Sequence, residues 1–202
     1  MARGMDGRMA RPREFDEATV LDAAMQCFWR QGFESTSVKD LIERTGLTAA
    51  SLYNAYGDKR AMFRTALDRY IEKSIGARLQ RSETLPPREG IKAFFDDILR
   101  RSLRDREHKG CLIVNSALEV APHDREFRET IVETLKRLES FFLGCVERGQ
   151  ADGTISSAQS ATCLSQHLLA LLMGVRVLAR VRPERSLLEG AISTGLALLD
   201  VP

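Results

Sequence analysis

The sequence lacks the motifs by which most enzymes are recognised. It contains no G-x-S-x-G, no H-E-x-x-H, no P-loop and no Rossmann glycine pattern. Glu119 and His123 stand four residues apart, but Pro122 lies between them and the pattern implies no third metal ligand. We therefore expect no catalytic site, no metal site and no cofactor.

Cysteine, too, is scarce and widely spaced. The four cysteines, at positions 27, 111, 145 and 163, include no C-x-x-C pair, which argues against a zinc or redox motif and favours free thiols in a reducing compartment. The N-terminus has arginines but no apolar segment of the kind found in signal peptides. The longest apolar stretch, 164–181, is interrupted by polar residues, and a membrane span needs about 20 apolar ones. We expect a cytoplasmic protein without membrane contact.

A basic excess, the usual sign of nucleic-acid binding, is also missing. Net charge is +2, and residues 1–60 hold nine basic and nine acidic side chains, which counts mildly against a nucleic-acid partner. The first 13 residues nevertheless carry a charge of +3. They are either an arm that lies on DNA or a solvated tail.

What the sequence does contain is a helix-turn-helix pattern in residues 37–59. Val38, Leu41 and Ile42 share one helix face, and Gly46 suits the left-handed conformation at that helix's end. Thr48 is placed to cap a second short helix. In this motif the second helix enters the major groove and its first residues meet base edges.

The same stretch resembles the DNA-binding domain of the tetracycline-repressor (TetR) family. The resemblance covers about residues 15–70 and rests on several residue types in one register: Thr36-Ser37-Val38, Asp40-Leu41-Ile42, Thr45-Gly46-Leu47, Ser51-Leu52-Tyr53, Tyr56 and Lys59. It departs from the family at Gly57, where an aromatic residue is more usual, and this departure loosens the entry to the next helix.

The resemblance implies two sets of DNA contacts. The residues expected to contact phosphates are Thr36, Tyr53, Tyr56 and Lys59. Those expected to face base edges are Thr48, Ala49, Ala50, Ser51 and Asn54. Thr36 is also expected to cap the first helix of the motif at the duplex surface. The alternative for both tyrosines is packing between helices.

Beyond the motif, caps and apolar stripes predict further helices, with a linker at 78–88 marked by Pro86-Pro87 and a capping box at Ser156 and Gln159. The last two helices carry apolar stripes that suggest a two-fold interface: Leu164, Leu168, Leu172, Val175, Leu196 and Leu199. In the family this helix pair forms a four-helix bundle across the two-fold axis. The alternative is that these stripes face the subunit's own core.

The middle of the chain carries candidates for effector binding: Cys111, Phe94, Phe95, Ile98, Asn115, Phe142 and His167. Cys111 is predicted to lie at a helix N-terminus, where the helix dipole favours a reactive thiolate. The segment that begins at Gly110 also resembles a branch of TetR-type regulators, some of which respond to electrophiles or oxidants through a cysteine there. A buried inert cysteine, and ordinary core for the aromatic residues, are the alternatives.

Together these features predict an all-α fold of about nine helices: a disordered basic arm (1–14), a three-helix helix-turn-helix DNA-binding domain (15–60) and a helical ligand-binding and dimerisation domain (61–202). The expected function is that of a homodimeric repressor, which an unknown small-molecule or electrophilic inducer releases from a palindromic double-stranded DNA operator. The alternative is a small all-helical enzyme or ligand carrier with an incidental helix-turn-helix.

Overall fold

The computed structural model describes residues 16–201, so the predicted basic arm and Phe15 lie outside the described residues. Within that range the secondary structure is helical and comprises nine helices, as the sequence predicts. Eight of them are α1 (Glu17–Gln31), α2 (Val38–Thr45), α3 (Ala49–Tyr56), α5 (Pro87–Arg104), α6 (Leu112–Glu119), α7 (Arg125–Ala151), α8 (Ala161–Val181) and α9 (Arg185–Ala197). The ninth, α4, is continuous through Lys59–Tyr70, a π-helical segment Ile71–Gly76, and Ala77–Glu83.

Side-chain caps mark several helix starts, including the one predicted at Thr48. Asp16, Thr48, Asp58 and Asp124 each accept a backbone N–H from the first turn of the following helix. These bonds satisfy donors that a helix start otherwise leaves without partners. These caps fix where α1, α3, α4 and α7 begin.

Two predicted caps and the predicted linker are wrong. Ser37, not Thr36, caps α2, and Ser160, not Ser156, caps α8. The linker is much shorter than 78–88, because α4 continues to Glu83 and Pro87 already occupies the first turn of α5. Proline is tolerated in a first helical turn, where its missing N–H has no partner to lose.

The core runs through both halves of the molecule. Phe28 and Phe63 join α1 to α4, and Phe127 on α7 packs against Phe63 with ring centroids 5.1 Å apart. Further along, Phe94 on α5 packs against Phe142 on α7 at 5.2 Å. One aromatic cluster thus joins α1 and α4 to α7, and a second lies between α5 and α7.

Helix α8 is long and apolar enough to cross a membrane by length and composition, so the expectation that no stretch reaches that length was wrong. Core helices of soluble proteins pass the same test, and one such helix is weak evidence for a membrane. Here α8 packs against α7 on one side and α9 on another.

Candidate nucleic-acid interface and effector site

The helix-turn-helix is held in shape by local hydrogen bonds. Ser37 and Asp40 form a reciprocal capping box at the start of α2, with the Ser37 N–H donating to Asp40 Oδ2 at 2.8 Å. Gly46 ends α2 with φ of +71°, in the left-handed region that glycine adopts readily. The Thr48 hydroxyl then accepts the Ser51 N–H at 3.1 Å. The turn between the helices therefore has a defined geometry.

This geometry presents small and polar groups on the outer face of α3. Its predicted base-facing residues are exposed, except for Ser51, which is half-buried: Thr48, Ala49, Ala50, Ser51 and Asn54. Leu52 on the opposite face is fully buried. At the start of α3 the exposed side chains are small, which lets a backbone approach base edges and lets alanine methyls touch thymine.

The predicted phosphate contacts divide into two accessible groups and two buried ones. Tyr53 is 48% exposed, and Lys59 is half-buried, with its Nζ donating to the Phe33 carbonyl at 2.9 Å. Tyr56 is only 9% exposed, so packing between helices, the alternative for both tyrosines, describes Tyr56.

Thr36 is fully buried, and its hydroxyl donates to the Gly32 carbonyl at 2.6 Å. Its assignment to a phosphate is wrong for this conformation, because the hydroxyl faces the end of α1 rather than solvent. Ser37 is the exposed hydroxyl at this helix start.

Cys111 lies at the N-terminus of α6, as predicted, in a buried and polar setting. The thiol is 9% exposed, and the hydroxyl of Tyr70 donates to its sulfur at 3.6 Å. A residual cavity of about 20 Å³ adjoins it, lined in part by Phe94, Ile98 and Arg176. Such a volume accommodates roughly one water molecule.

The electrostatics favour the thiolate. Desolvation by burial raises the pKa of Cys111, but the positive charge of Arg176 and the N–H groups of Val114 and Ile113 outweigh it, so the net shift is downward. The pKa of Tyr70 is raised by burial, so its hydroxyl stays protonated and able to donate. By contrast, burial raises the pKa of Cys27 and Cys145. Cys111 is therefore chemically distinct from these two buried cysteines.

Several predicted effector residues lie elsewhere. Phe95 and Phe142 are fully buried against each other, with ring centroids 5.8 Å apart, and belong to the core. Asn115 donates its side-chain amide to the Lys109 carbonyl at 2.9 Å and so closes a turn. His167 is exposed in a groove between α8 and α9. Of the seven predictions, the structure brings together Cys111, Phe94 and Ile98.

Tyr70 and Arg176 were missed as partners of Cys111. Tyr70 is part of an ordinary apolar stripe on α4, and Arg176 looks like a polar interruption of α8. They lie 41 residues before and 65 residues after the cysteine. The sequence signal that could have marked the site is Arg176, an arginine in the apolar pattern of α8, since a buried charge demands a partner.

The end of α6 contacts the DNA-binding half. Glu119 accepts the backbone N–H of Glu34, in the connection between α1 and α2, at 2.9 Å. Nearby, the guanidinium of Arg60 on α4 donates to both carboxylate oxygens of Asp124, at 2.8 and 3.0 Å. Cys111 and Glu119 stand at opposite ends of the same short helix, so α6 spans the distance from the thiol to the connection that precedes α2.

The predicted interface stripe points inward. Leu164, Leu168, Leu172, Val175 and Leu199 are buried within the subunit, and Leu196 is half-buried. For the five buried residues the assignment to a dimer contact is wrong, and the alternative, the subunit's own core, is correct. For the half-buried Leu196 it stays a prediction.

Beside these buried residues, an apolar face of α8 and α9 is accessible. Its exposed or half-buried members are Ala170, Leu171, Gly174, Val177, Leu178, Val181, Leu187, Gly190, Ala191 and Leu198. We refer to this set as the α8/α9 face. Gly174 and Gly190 meet nothing within 4 Å where a side chain would begin, so they leave the face open.

The comparisons with known proteins agree with this architecture. Residues 20–66 match the family described as bacterial regulatory proteins, tetR family, and residues 87–194 match the tetracyclin repressor-like C-terminal domain. These matches do not favour the alternative of an enzyme or ligand carrier.

Individual relatives extend over nearly the whole chain. The uncharacterized HTH-type transcriptional regulator YezE of Bacillus subtilis (strain 168) is 32% identical over 195 residues, which cover 95% of this chain and 100% of YezE. The HTH-type transcriptional repressor ComR of Escherichia coli (strain K12) is 28% identical, with 84% of this chain and 82% of ComR covered.

A solved structure shows the same fold on DNA. A cysteine mutant of the TetR family transcriptional regulator CifR, complexed with 26-base-pair double-strand operator DNA, superposes with a TM-score of 0.84 at 30% identity, covering 94% of this chain and 100% of that one. The chain described here therefore belongs to the TetR family of DNA-binding transcriptional regulators.

Proposed function

We propose that this regulator is a cytoplasmic, non-enzymatic homodimeric repressor, and that modification of Cys111 releases it from a palindromic operator. The single observation that carries the effector part is the placement of Cys111 against Arg176 and Tyr70 at the start of α6. The division into residues 15–60 for DNA and 61–202 for effector and dimer contacts remains part of this proposal.

For operator binding, α3 is the reading helix. Its exposed residues supply the base contacts, and Tyr53 and Lys59 supply phosphate contacts. Positioning by phosphates and reading by base edges are separate tasks in such interfaces. The α8/α9 face pairs with its copy across a two-fold axis, so that two reading helices are held at a fixed separation.

For release, the Cys111 thiolate attacks an electrophilic carbon. With iodoacetamide, for example, a sulfur–carbon bond forms, the carbon–iodine bond breaks, and iodide leaves with its electron pair. The thiolate is the nucleophilic form, so a lowered pKa raises the reactive fraction at neutral pH.

Structural consequences follow from the small space around the sulfur. The adjoining cavity of about 20 Å³ is too small for a carboxamidomethyl group beside the packed Phe94 and Ile98. The adduct therefore favours a displaced α6, and Glu119 at its other end moves the connection that precedes α2. The adduct must stabilise this displaced state more than the DNA-bound one.

Operator release by the alkylated protein tests the proposal. The DNA upstream of the regulator's own reading frame is labelled, and binding is followed by fluorescence anisotropy before and after treatment with iodoacetamide. Wild type and the Cys163→Ser control, which lacks the exposed cysteine, are expected to release DNA. Cys111→Ser is expected to bind DNA and to stay bound after treatment. If iodoacetamide-treated Cys111→Ser released the operator to the same extent as the treated wild type, Cys111 would not be the sensing residue.

A further inference from the structure

A cleft of about 400 Å³ lies between α1, α4 and the segment 101–110. Its size is in the range of sites for small molecules. Tyr70, Arg78 and Arg176 line both this cleft and the smaller cavity beside Cys111. The cleft is thus the outer compartment of the same region, but it has its own lining and chemistry.

The lining is strongly cationic. Six basic side chains and two acidic ones line it, and Asp97, which pairs with Arg78 and Arg101 from outside the lining, leaves an excess of three positive charges. The basic members are Arg78, Arg101, Arg104, Arg106, Lys109 and Arg176. Concave surfaces of one sign concentrate ions of the opposite sign.

Two buried donors at the cleft have no hydrogen-bond partner among residues 16–201. They are the Nε atom of Arg176 and the Nε1 atom of Trp29, and both residues line the cleft. Arg176 is 8% exposed, and its other nitrogens donate to the Ser102 hydroxyl at 3.0 Å and to the Gly110 carbonyl. Its charge also faces the Cys111 sulfur, but the Nε atom itself has no acceptor among the described residues. A buried N–H without a partner is costly, and a bound acceptor would satisfy it.

We propose that this cleft binds a small organic anion, whose oxyanion oxygens accept hydrogen bonds from Arg176 Nε and Trp29 Nε1. The guanidinium gives a charge-assisted bond of the kind that selects carboxylates and similar groups. The indole is a donor only, so it too requires an acceptor. Binding itself is independent of Cys111 modification; only a role of the anion as effector rests on the proposed function.

Trp29 is the only tryptophan of the chain, so its fluorescence reports on this cleft. The full-length protein is titrated with 4-nitrobenzoate, a quenching anion, and separately with 4-nitrobenzamide, a neutral molecule of nearly the same shape. Saturable quenching by 4-nitrobenzoate is expected, reversed by excess benzoate, with affinity at least about tenfold above that of the amide. Linear quenching of equal strength by both compounds would overturn the proposal.

Variants then locate the site. Arg176→Gln is expected to weaken 4-nitrobenzoate binding by about tenfold or more, while the exposed Arg81→Gln, with the same change of charge, binds as wild type. Unchanged affinity in folded Arg176→Gln refutes the assignment. If that variant does not fold, the comparison of 4-nitrobenzoate with 4-nitrobenzamide on the wild-type protein still decides whether the cleft binds an anion. Cys111→Ser is expected to retain the quenching, which separates a failure of anion binding from a failure of cysteine sensing.

Discussion

The carboxylate of Glu119 accepts the backbone N–H of Glu34 across 85 positions of sequence, at 2.9 Å. Gly32 makes this approach possible. It has φ of +87°, and a side chain at this position would begin 2.7 Å from both carboxylate oxygens of Glu119. Since α6 begins next to Cys111, this hydrogen bond joins the helix that starts at the proposed sensing cysteine to the segment that precedes α2.

Removing this acceptor should uncouple sensing from DNA release. Glu119→Ala is expected to bind operator in the unmodified state but to respond weakly to alkylation of Cys111. The coupling lost is expected at about 1–3 kcal/mol, the usual range for communication between two sites. It is measured as the ratio of operator affinities before and after iodoacetamide treatment, with adduct formation verified by mass spectrometry.

Glu119→Gln is the matched control, because its amide oxygen still accepts the Glu34 N–H. It should respond to alkylation nearly as wild type does. A full response in Glu119→Ala, with complete modification of Cys111, would show that the signal takes another path, such as the Arg60–Asp124 pair.

The two tyrosines of α3 offer a test of the DNA interface. Tyr53→Phe removes an exposed hydroxyl, and loss of one hydrogen bond to a phosphate should weaken operator binding roughly tenfold. Tyr56→Phe alters a buried hydroxyl, so it should change thermal stability and leave operator affinity nearly unaffected. Fluorescence anisotropy at fixed salt, with melting curves of both variants, distinguishes the two. Equal losses of affinity would contradict the assignment.

Local signals explain why the helix count and several caps were predictable. A cap such as Asp58 acts within three residues, and the stripe of α4 is visible in the sequence itself. Where two neighbouring residues could both cap a helix, a third residue decides which of them does. Ser37 rather than Thr36 caps α2 because Asp40 stands at the position that completes its capping box.

Long-range arrangements were not predictable in the same way. Helix α8 is apolar on more than one side, and a periodic stripe does not tell which side meets the neighbouring helices. Leu168 therefore looked like an interface residue, but it is fully buried in the subunit. The pairing of Arg176 with Cys111 likewise depends on how α8 packs against α6, which no local pattern encodes.

Gly190 allows the α8/α9 face to be tested without disturbing the subunit. It is exposed and helical, and a side chain there would meet no atom within 4 Å. Gly190→Arg should leave the monomer folded, with a helix-propensity gain of up to about 1 kcal/mol, yet place charge at the two-fold contact. We expect light scattering to show a monomer. Operator binding should be weaker by roughly 10²-fold or more, since the two reading helices are no longer held in one molecule.

Ser140→Arg, an exposed change to the same residue on α7, is the control and should remain dimeric. A dimeric Gly190→Arg with normal operator affinity would place the interface on another surface.

Acid sensitivity should arise partly from Asp97. Burial raises the pKa of this carboxyl, but hydrogen bonds from Arg78 and Arg100 outweigh burial and lower the pKa to about 2. Burial also lowers the pKa of Arg78, although its guanidinium remains charged. Because the folded pKa of Asp97 lies below its ordinary value of 3.8, its stabilisation is fully present above about pH 4 and is lost as the pH falls toward 2.

Asp97→Asn should accordingly lower the free energy of unfolding at neutral pH by about 2 kcal/mol and remove this part of the acid dependence. Urea denaturation at pH 6 and pH 3 measures both effects. The adjacent Asp96→Asn is the control. Asp96 is half exposed and pairs with Lys92 one turn away, so its replacement should change stability by less than about 0.5 kcal/mol. Two results would contradict this assignment: an equal loss of unfolding free energy in both variants, or an Asp97→Asn variant whose unfolding free energy still falls as much between pH 6 and pH 3 as that of the wild type. In either case the Asp97–Arg78 pair would not be the cause of the acid sensitivity.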